Sequence, residues 1–159
     1  MVRLLKFLMS LIHYKKAGLR FEVLETIAAG IVLSGAEVKA VRAKQGKLDG
    51  ARVIIRGGEA FITGMSIPPY QVANTPAGYN PERARKLLLT KKELAHLLTE
   101  EEKKGLTVVP IEVYNSGRYL KVKVAVVRGK NKADKRETLK LKDAKRDIDR
   151  DLKDTKRKR

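Results

Sequence analysis

Apolar positions along this chain fall into short alternating runs broken by glycine, proline and charged turns, which predicts antiparallel strands with helices inserted between them. Arg20 to Ile27 has the alternation of a half-buried strand, imperfectly, because Glu25 falls on the side of Phe21, Val23 and Ile27. Ala29-Gly30 interrupts it, and Ile31-Val32-Leu33 extends the apolar run. Ala51 to Arg56 and Glu59 to Ile67 read as a hairpin turning at Gly57-Gly58, where glycine supplies the positive φ such turns need. Pro68-Pro69 stops the second strand, and Tyr70 to Pro81 reads as a long surface loop. The strongest strand signals are Leu106 to Tyr114 and Tyr119 to Arg128, joined at Asn115-Ser116-Gly117. In the second of these, Leu120, Val122, Val124 and Val126 form a core face, and Lys121 and Lys123 project from the other.

Helix starts are marked by capping boxes, in which a Ser or Thr and a Glu three residues later satisfy each other's backbone N–H groups. Ser34 with Glu37 opens a short helix carrying Val38, Val41 and Arg42, ended near Gly46. Thr90 with Glu93 opens a helix through Leu98, and Thr99 with Glu102 opens a further turn ended by Gly105. The fold class is therefore mainly β: five or six short strands, for which a small closed OB-like barrel is the favoured architecture. Past Gly129 the strand signal stops. A helix from Asp134 toward Asp154 has only Leu139, Leu141, Ala144, Ile148 and Leu152 as its apolar stripe. That is too thin to bury much, so its order is expected to come from a partner. Met1 to Ile12 is apolar with Arg3 and Lys6 interrupting, too short to span a membrane, and reads as an amphipathic helix or a loose extension.

Charge sharpens this picture. The chain has 36 Lys+Arg against 18 Asp+Glu, a formal net charge of +18. Arg128 to Arg159 holds 15 basic and 7 acidic residues, so those 32 residues carry +8. A basic body with a basic tail calls for a polyanion, above all RNA or DNA. Phosphate neutralisation releases counterions, so most of this charge acts as sequence-independent affinity. Arg83, Arg85, Lys86, Lys121, Lys123, Arg128, Lys130, Lys132, Lys135 and Arg136 are the candidate phosphate contacts; a solvated face is the alternative for the Lys121 pair. Aromatics make up 5% of the chain, too few for a dense stacking platform. That favours recognition of folded RNA by shape and backbone.

Little points to catalysis. There is no Cys, which fits a reducing cytoplasm, and His13 and His96 lack metal-ligand spacing, so neither metal nor cofactor is expected. No nucleophile–base arrangement, phosphate-cradling glycine loop or carboxylate cluster stands out, so a non-enzymatic binder is expected.

Four segments resemble one family. Gly35-Ala36-Glu37-Val38-Lys39 with Val41-Arg42-Ala43 is similar to G-[TS]-E-V-K-S-[LI]-R-A. Arg85-Lys86-Leu87-Leu88-Leu89 matches R-K-L-L-L, and Lys104 to Pro110 is similar to K-G-L-T-[LV]-V-P. Gly129-Lys130 with Asp134-Lys135-Arg136-Glu137 resembles G-K-K-x-x-D-K-R-E. These are motifs of the SsrA-binding protein, or small protein B, family of bacterial trans-translation, and the resemblance runs from about Phe21 to Ile148. It implies a six-stranded OB-like barrel with about three helices, over residues 20–128, between a 1–19 extension and a 129–159 tail that is disordered when free. The implied partners are the tRNA-like domain of transfer-messenger RNA, the ribosomal decoding centre and mRNA channel, and elongation factor Tu on the same RNA. The implied form is a cytoplasmic monomer with no membrane partner. A generic structured-RNA or ribosome-associated OB protein is the alternative.

The resemblance implies RNA contacts at Glu37, Lys39, Arg42, Arg85, Lys86, Leu88, Lys121 and Lys123. It implies ribosome contacts at Gly129, Lys130, Asp134, Lys135, Arg136 and Ile148. Core packing is the alternative for Leu88, helix capping for Glu37 and Asp134. The chain departs from the family pattern at Ala28, where Glu is usual, at Gly18-Leu19-Arg20-Phe21 in place of R-H-[DE]-[YF], and at Asn131 and Ala133 in the tail.

Overall fold

The computed structural model describes residues 10–157. Seven antiparallel strands form one sheet: β1 (Ser10–His13), β2 (Phe21–Ile31), β3 (Arg52–Arg56), β4 (Glu59–Thr63), β5 (Arg85–Leu88), β6 (Leu106–Ser116) and β7 (Tyr119–Gly129). Their hydrogen-bonded order is β1-β6-β7-β2-β5-β4-β3. Three α-helices lie between strands, α1 (Ala17–Arg20), α2 (Gly35–Arg42) and α3 (Lys91–Glu102), and α4 (Lys132–Arg157) follows β7.

This corrects the strand count of six and the expected closure. Among the described residues β1 and β3 stand as the two edges, and β1 occupies part of the outer edge of β6 that closure would use. Ser10 to Ile12 is therefore strand, not helix; the remainder of the apolar N-terminal run lies outside the described residues. Leu11, Ile12, Tyr14 and Ala17 are buried, so this segment joins the core. Tyr14 meets the Phe21 ring edge-on at 6.3 Å, and its N–H donates to Ile111 O at 2.8 Å.

Three further expectations are revised. β2 runs unbroken through Ala29-Gly30, because both are held by β7 and Gly30 also by β5. β4 stops at Thr63, since Gly64 turns the chain with φ 75°. The Thr99 capping box is absent: α3 passes straight through, and Thr99 Oγ1 donates back to Ala95 O at 3.0 Å, the usual use of a mid-helix threonine. The Ser34–Glu37 and Thr90–Glu93 boxes do form, each reciprocal. The core lies on the face lined by Val108, Val113, Val122, Val124 and Val126 of the long β6–β7 pair, covered by Val41 of α2, Leu97 of α3 and Ile62 of β4.

Candidate nucleic-acid interface

Glu37 is the organising residue of the sheet's basic face, from within. It is 0% exposed, as is Arg85. Its carboxylate accepts from Ser34 N–H (2.8 Å), from Arg85 Nε (3.0 Å), and from Arg83 through both Nε (2.9 Å) and a second guanidinium nitrogen. Arg85 donates onward to Met65 O (2.6 Å) and Pro81 O (2.8 Å), so its fork is fully used inside the protein. Burial alone would raise the Glu37 pKa. The hydrogen bonds from Arg83 and Ser34 and the charge of Arg85 outweigh it, holding the carboxyl below its ordinary 4.5. Glu37 and Arg85 are thus corrected as direct RNA contacts: with no exposed surface they touch no ligand. They fix α2 against the 81–85 segment and thereby place Lys39, Arg42 and Leu88 relative to one another.

Leu88 is on the surface. β5 alternates Arg85 and Leu87 inward with Lys86 and Leu88 outward, leaving Leu88 55% exposed, which removes core packing as its role. It pairs with Gly30 of β2, and Gly30 pairs in turn with Lys121 of β7. A Cβ on Gly30 would sit 3.1 Å from Leu88 Cβ, so no side chain stands between the leucine and the lysine. Leu88, Gly30 and Lys121 make one row across three strands.

The remaining cations divide by their partners. Lys86 is paired with Glu59, and Lys123 with Glu112 at 3.1 Å. Lys39, Arg42 and Lys121 have no ion pair among the described residues. Arg42 Nη2 reaches Arg118 O at 3.2 Å, tying the end of α2 to the β6–β7 turn. Arg118 and Tyr119 at that turn were not singled out by sequence; the strongly polar turn reads simply as a hairpin end.

At the other end of β7, Gly129 is the last strand residue. Lys130 anchors the tail rather than extending into solvent: its N–H donates to Arg20 O (2.9 Å), and its Nζ to Gly18 O (2.9 Å) and Thr138 Oγ1 (3.2 Å). Asp134 accepts from Asn131 N–H at 3.3 Å, which makes it a cap of α4. Arg136 and Ile148 are exposed and Lys135 partly so, along a helix with no core to join. Among the described residues, no helix is long and apolar enough to cross a membrane.

The sequence profile of the family described as SmpB protein matches residues 11–154. The chain belongs to the SmpB family. An SsrA-binding protein of Streptococcus pyogenes is 42% identical over 139 residues, covering 87% of this chain and 89% of its own. One from Gloeothece citriformis is 41% identical, covering 87% and 90%. A solved chain described as "tmRNA-SmpB: a journey to the center of the bacterial ribosome" is similar with a TM-score of 0.65 and 39% identity, over 80% of this chain and 92% of that chain. Within the SmpB frame the departure at Ala28 has a local meaning. Ala28 lies opposite Lys123, whose charge is met instead by Glu112 on the other neighbouring strand.

Proposed function

We propose that this SmpB-family chain is an RNA-binding adaptor, not an enzyme: it holds the tRNA-like domain of transfer-messenger RNA and brings it to a stalled ribosome for rescue and tagging. The observation that carries this reading is the relatives themselves, SsrA-binding proteins at about two-fifths identity over nearly the whole chain. The mechanism is positioning. The barrel face, with Lys39, Arg42, Leu88 and Lys121 open and Glu37, Arg85 bracing them from inside, grips folded RNA. The tail from Gly129 on, with Lys135, Arg136 and Ile148 outward, engages the decoding centre and the empty mRNA channel. In this division β2 to β7 form the six-stranded OB-like unit of residues 20–128, β1 is an edge addition from the 1–19 segment, and residues 129–159 are the ribosome-directed part. The setting is the bacterial cytoplasm, with elongation factor Tu as a co-partner on the same RNA and the protein acting as a monomer.

The test is binding of the full chain to the tRNA-like domain at near-physiological salt, with an elongator tRNA carrying its anticodon arm as competitor. A clear preference for the tRNA-like domain is expected; equal binding would mean the charge acts generically and would sink the adaptor reading. Lys121→Ala is expected to weaken that binding several-fold and to lower the slope of log affinity against log salt by about 0.7–0.9, as for one phosphate contact. Lys123→Ala, whose charge Glu112 already meets, should change the slope less. A Lys121→Ala slope equal to wild type would remove that residue from the phosphate track.

A further inference from the structure

For most of its length β2 is paired along one side only. β7 holds it from Phe21 to Gly30, but β5 meets its other side only at Gly30 and Ile31. Lys130 N–H donates to Arg20 O and Val32 N–H to Lys86 O, which fixes the alternation at both ends of the strand. With the bulge at Leu24 counted, the backbone groups of Val23, Thr26 and Ala28 turn away from β7. No backbone partner meets them on that side among the described residues. Glu22, Val23, Leu24, Glu25 and Thr26 are exposed in succession, where a half-buried strand would alternate. The cross-strand pairs put Glu22 and Glu25 on one face, with Arg128 and Val126, and Val23 and Thr26 on the other, with Val127 and Ala125. Two polar contacts reach the glutamates from neighbouring elements: His96 Nε2 of α3 lies 2.7 Å from Glu25 Oε2, and an Arg128 nitrogen lies 3.9 Å from Glu22 Oε2.

An open edge is a template for another strand, and proteins usually guard one with Lys or Pro. This edge has neither. No Lys, Arg or Pro falls between Phe21 and Val38, in a chain that carries 36 Lys+Arg. The charges at the edge are Glu22 and Glu25, and cross-strand pairing favours opposite charges and penalises like ones. A second copy would bring the carboxylates of both copies together along one seam, and RNA would bring phosphates to them. An extended peptide with Lys or Arg at alternate positions would instead meet both glutamates on one face. Its β-branched residues would then lie beside Val23 and Thr26 on the other. We propose that the edge of β2 from Val23 to Ala28 takes up an extended segment of a basic partner protein as an added strand. The bulge at Leu24 keeps that strand short. The site lies toward the Gly129 end of β7, away from the row of Leu88, Gly30 and Lys121, and it does not rest on the RNA-binding reading.

The experiment follows amide hydrogen exchange of the full chain with two synthetic peptides, one alternating Lys and Val and one alternating Glu and Val. The chain's net charge of +18 repels the Lys peptide overall, so its binding reports the local site. In the free protein the Val23 and Thr26 amides should exchange fast, and Ile27, turned to β7, slowly. Saturating Lys peptide is expected to slow Val23 and Thr26 about tenfold or more and to leave Ile27 unchanged. The Glu peptide, wherever else it binds on this basic chain, should leave Val23 and Thr26 fast. Charge reversal by Glu22→Lys with Glu25→Lys should weaken the Lys peptide about tenfold and let the Glu peptide protect the same two amides. Both side chains are exposed, so this variant should unfold near the wild-type temperature. Unprotected Val23 and Thr26 at millimolar Lys peptide would overturn the proposal, as would equal protection by both peptides. Protection that grows with protein concentration alone would make the occupant a second copy, and protection by the tRNA-like domain would make the edge an RNA contact; either result overturns the basic segment.

Discussion

Glu37→Ala is expected to destabilise the fold by about 3–5 kcal/mol, the cost of leaving a buried charge without its partner. Arg85 would keep its bonds to Met65 O and Pro81 O but lose its only carboxylate among the described residues, with its own side chain wholly buried. The Ser34 cap bond goes as well, worth about 1 kcal/mol of that total. A urea titration should show the midpoint falling with little change in slope. Arg85→Ala should cost a similar amount, and the double variant well under the sum, because both remove the same interaction. RNA affinity should fall only to the extent that α2 shifts against β5. An affinity loss without any stability loss would return Glu37 to direct contact. The pH dependence follows from the lowered pKa. Above 4.5 the carboxyl is ionised in both folded and unfolded chains, and the cluster's contribution is complete. As pH falls below that value toward the lower folded pKa, the unfolded chain takes up the proton first, and stability declines. Glu37→Gln should lack this part of the acid slope.

Truncation after Gly129 is expected to leave binding to the tRNA-like domain within a few-fold of wild type at near-physiological salt and to abolish tagging on stalled ribosomes. The proposed RNA face is formed by α2, β2, β5 and β7, and none of its open residues belongs to the tail. The +7 carried by the removed residues 130–159 nonetheless adds general attraction, so the truncated protein should show a shallower salt dependence with any RNA. Affinity measured across a salt series, paired with a tagging assay in a reconstituted translation system, separates the two. Equal loss of both activities would mean one continuous surface rather than two.

How much of this was legible in the residues follows from which interactions are local. The two capping boxes at Ser34 and Thr90 were legible because both partners lie within one turn. The long β6–β7 pair was legible because both strands are rich in Val and β7 alternates from Tyr119 to Val124. β5 was not: the four residues R-K-L-L, followed by Leu89, give no period, and the strand exists because β2 and β4 flank it. The same run hid which leucine faces out. β1 read as part of a helix or a loose extension for a similar reason, since its place is decided by the edge of β6 about a hundred residues away. Glu37 was legible as a cap, but its pairing with Arg83 and Arg85 crosses 46 and 48 residues, and no local signal marks it. The motifs identified the basic face as a whole; only the ion pairs made by Glu59 and Glu112 show which of its lysines are already neutralised.

The three hydrogen bonds at Lys130 have a mechanical consequence. They hold the root of a 26-residue rod, about 39 Å long, against α1. A pivot of only 10° at that root would sweep the far tip through roughly 7 Å, more than one helical pitch. Aim is therefore set at the base of the rod. Gly18 sits where the family pattern carries arginine, and it supplies a carbonyl to that base; the direction of the whole rod is set by contacts at its root.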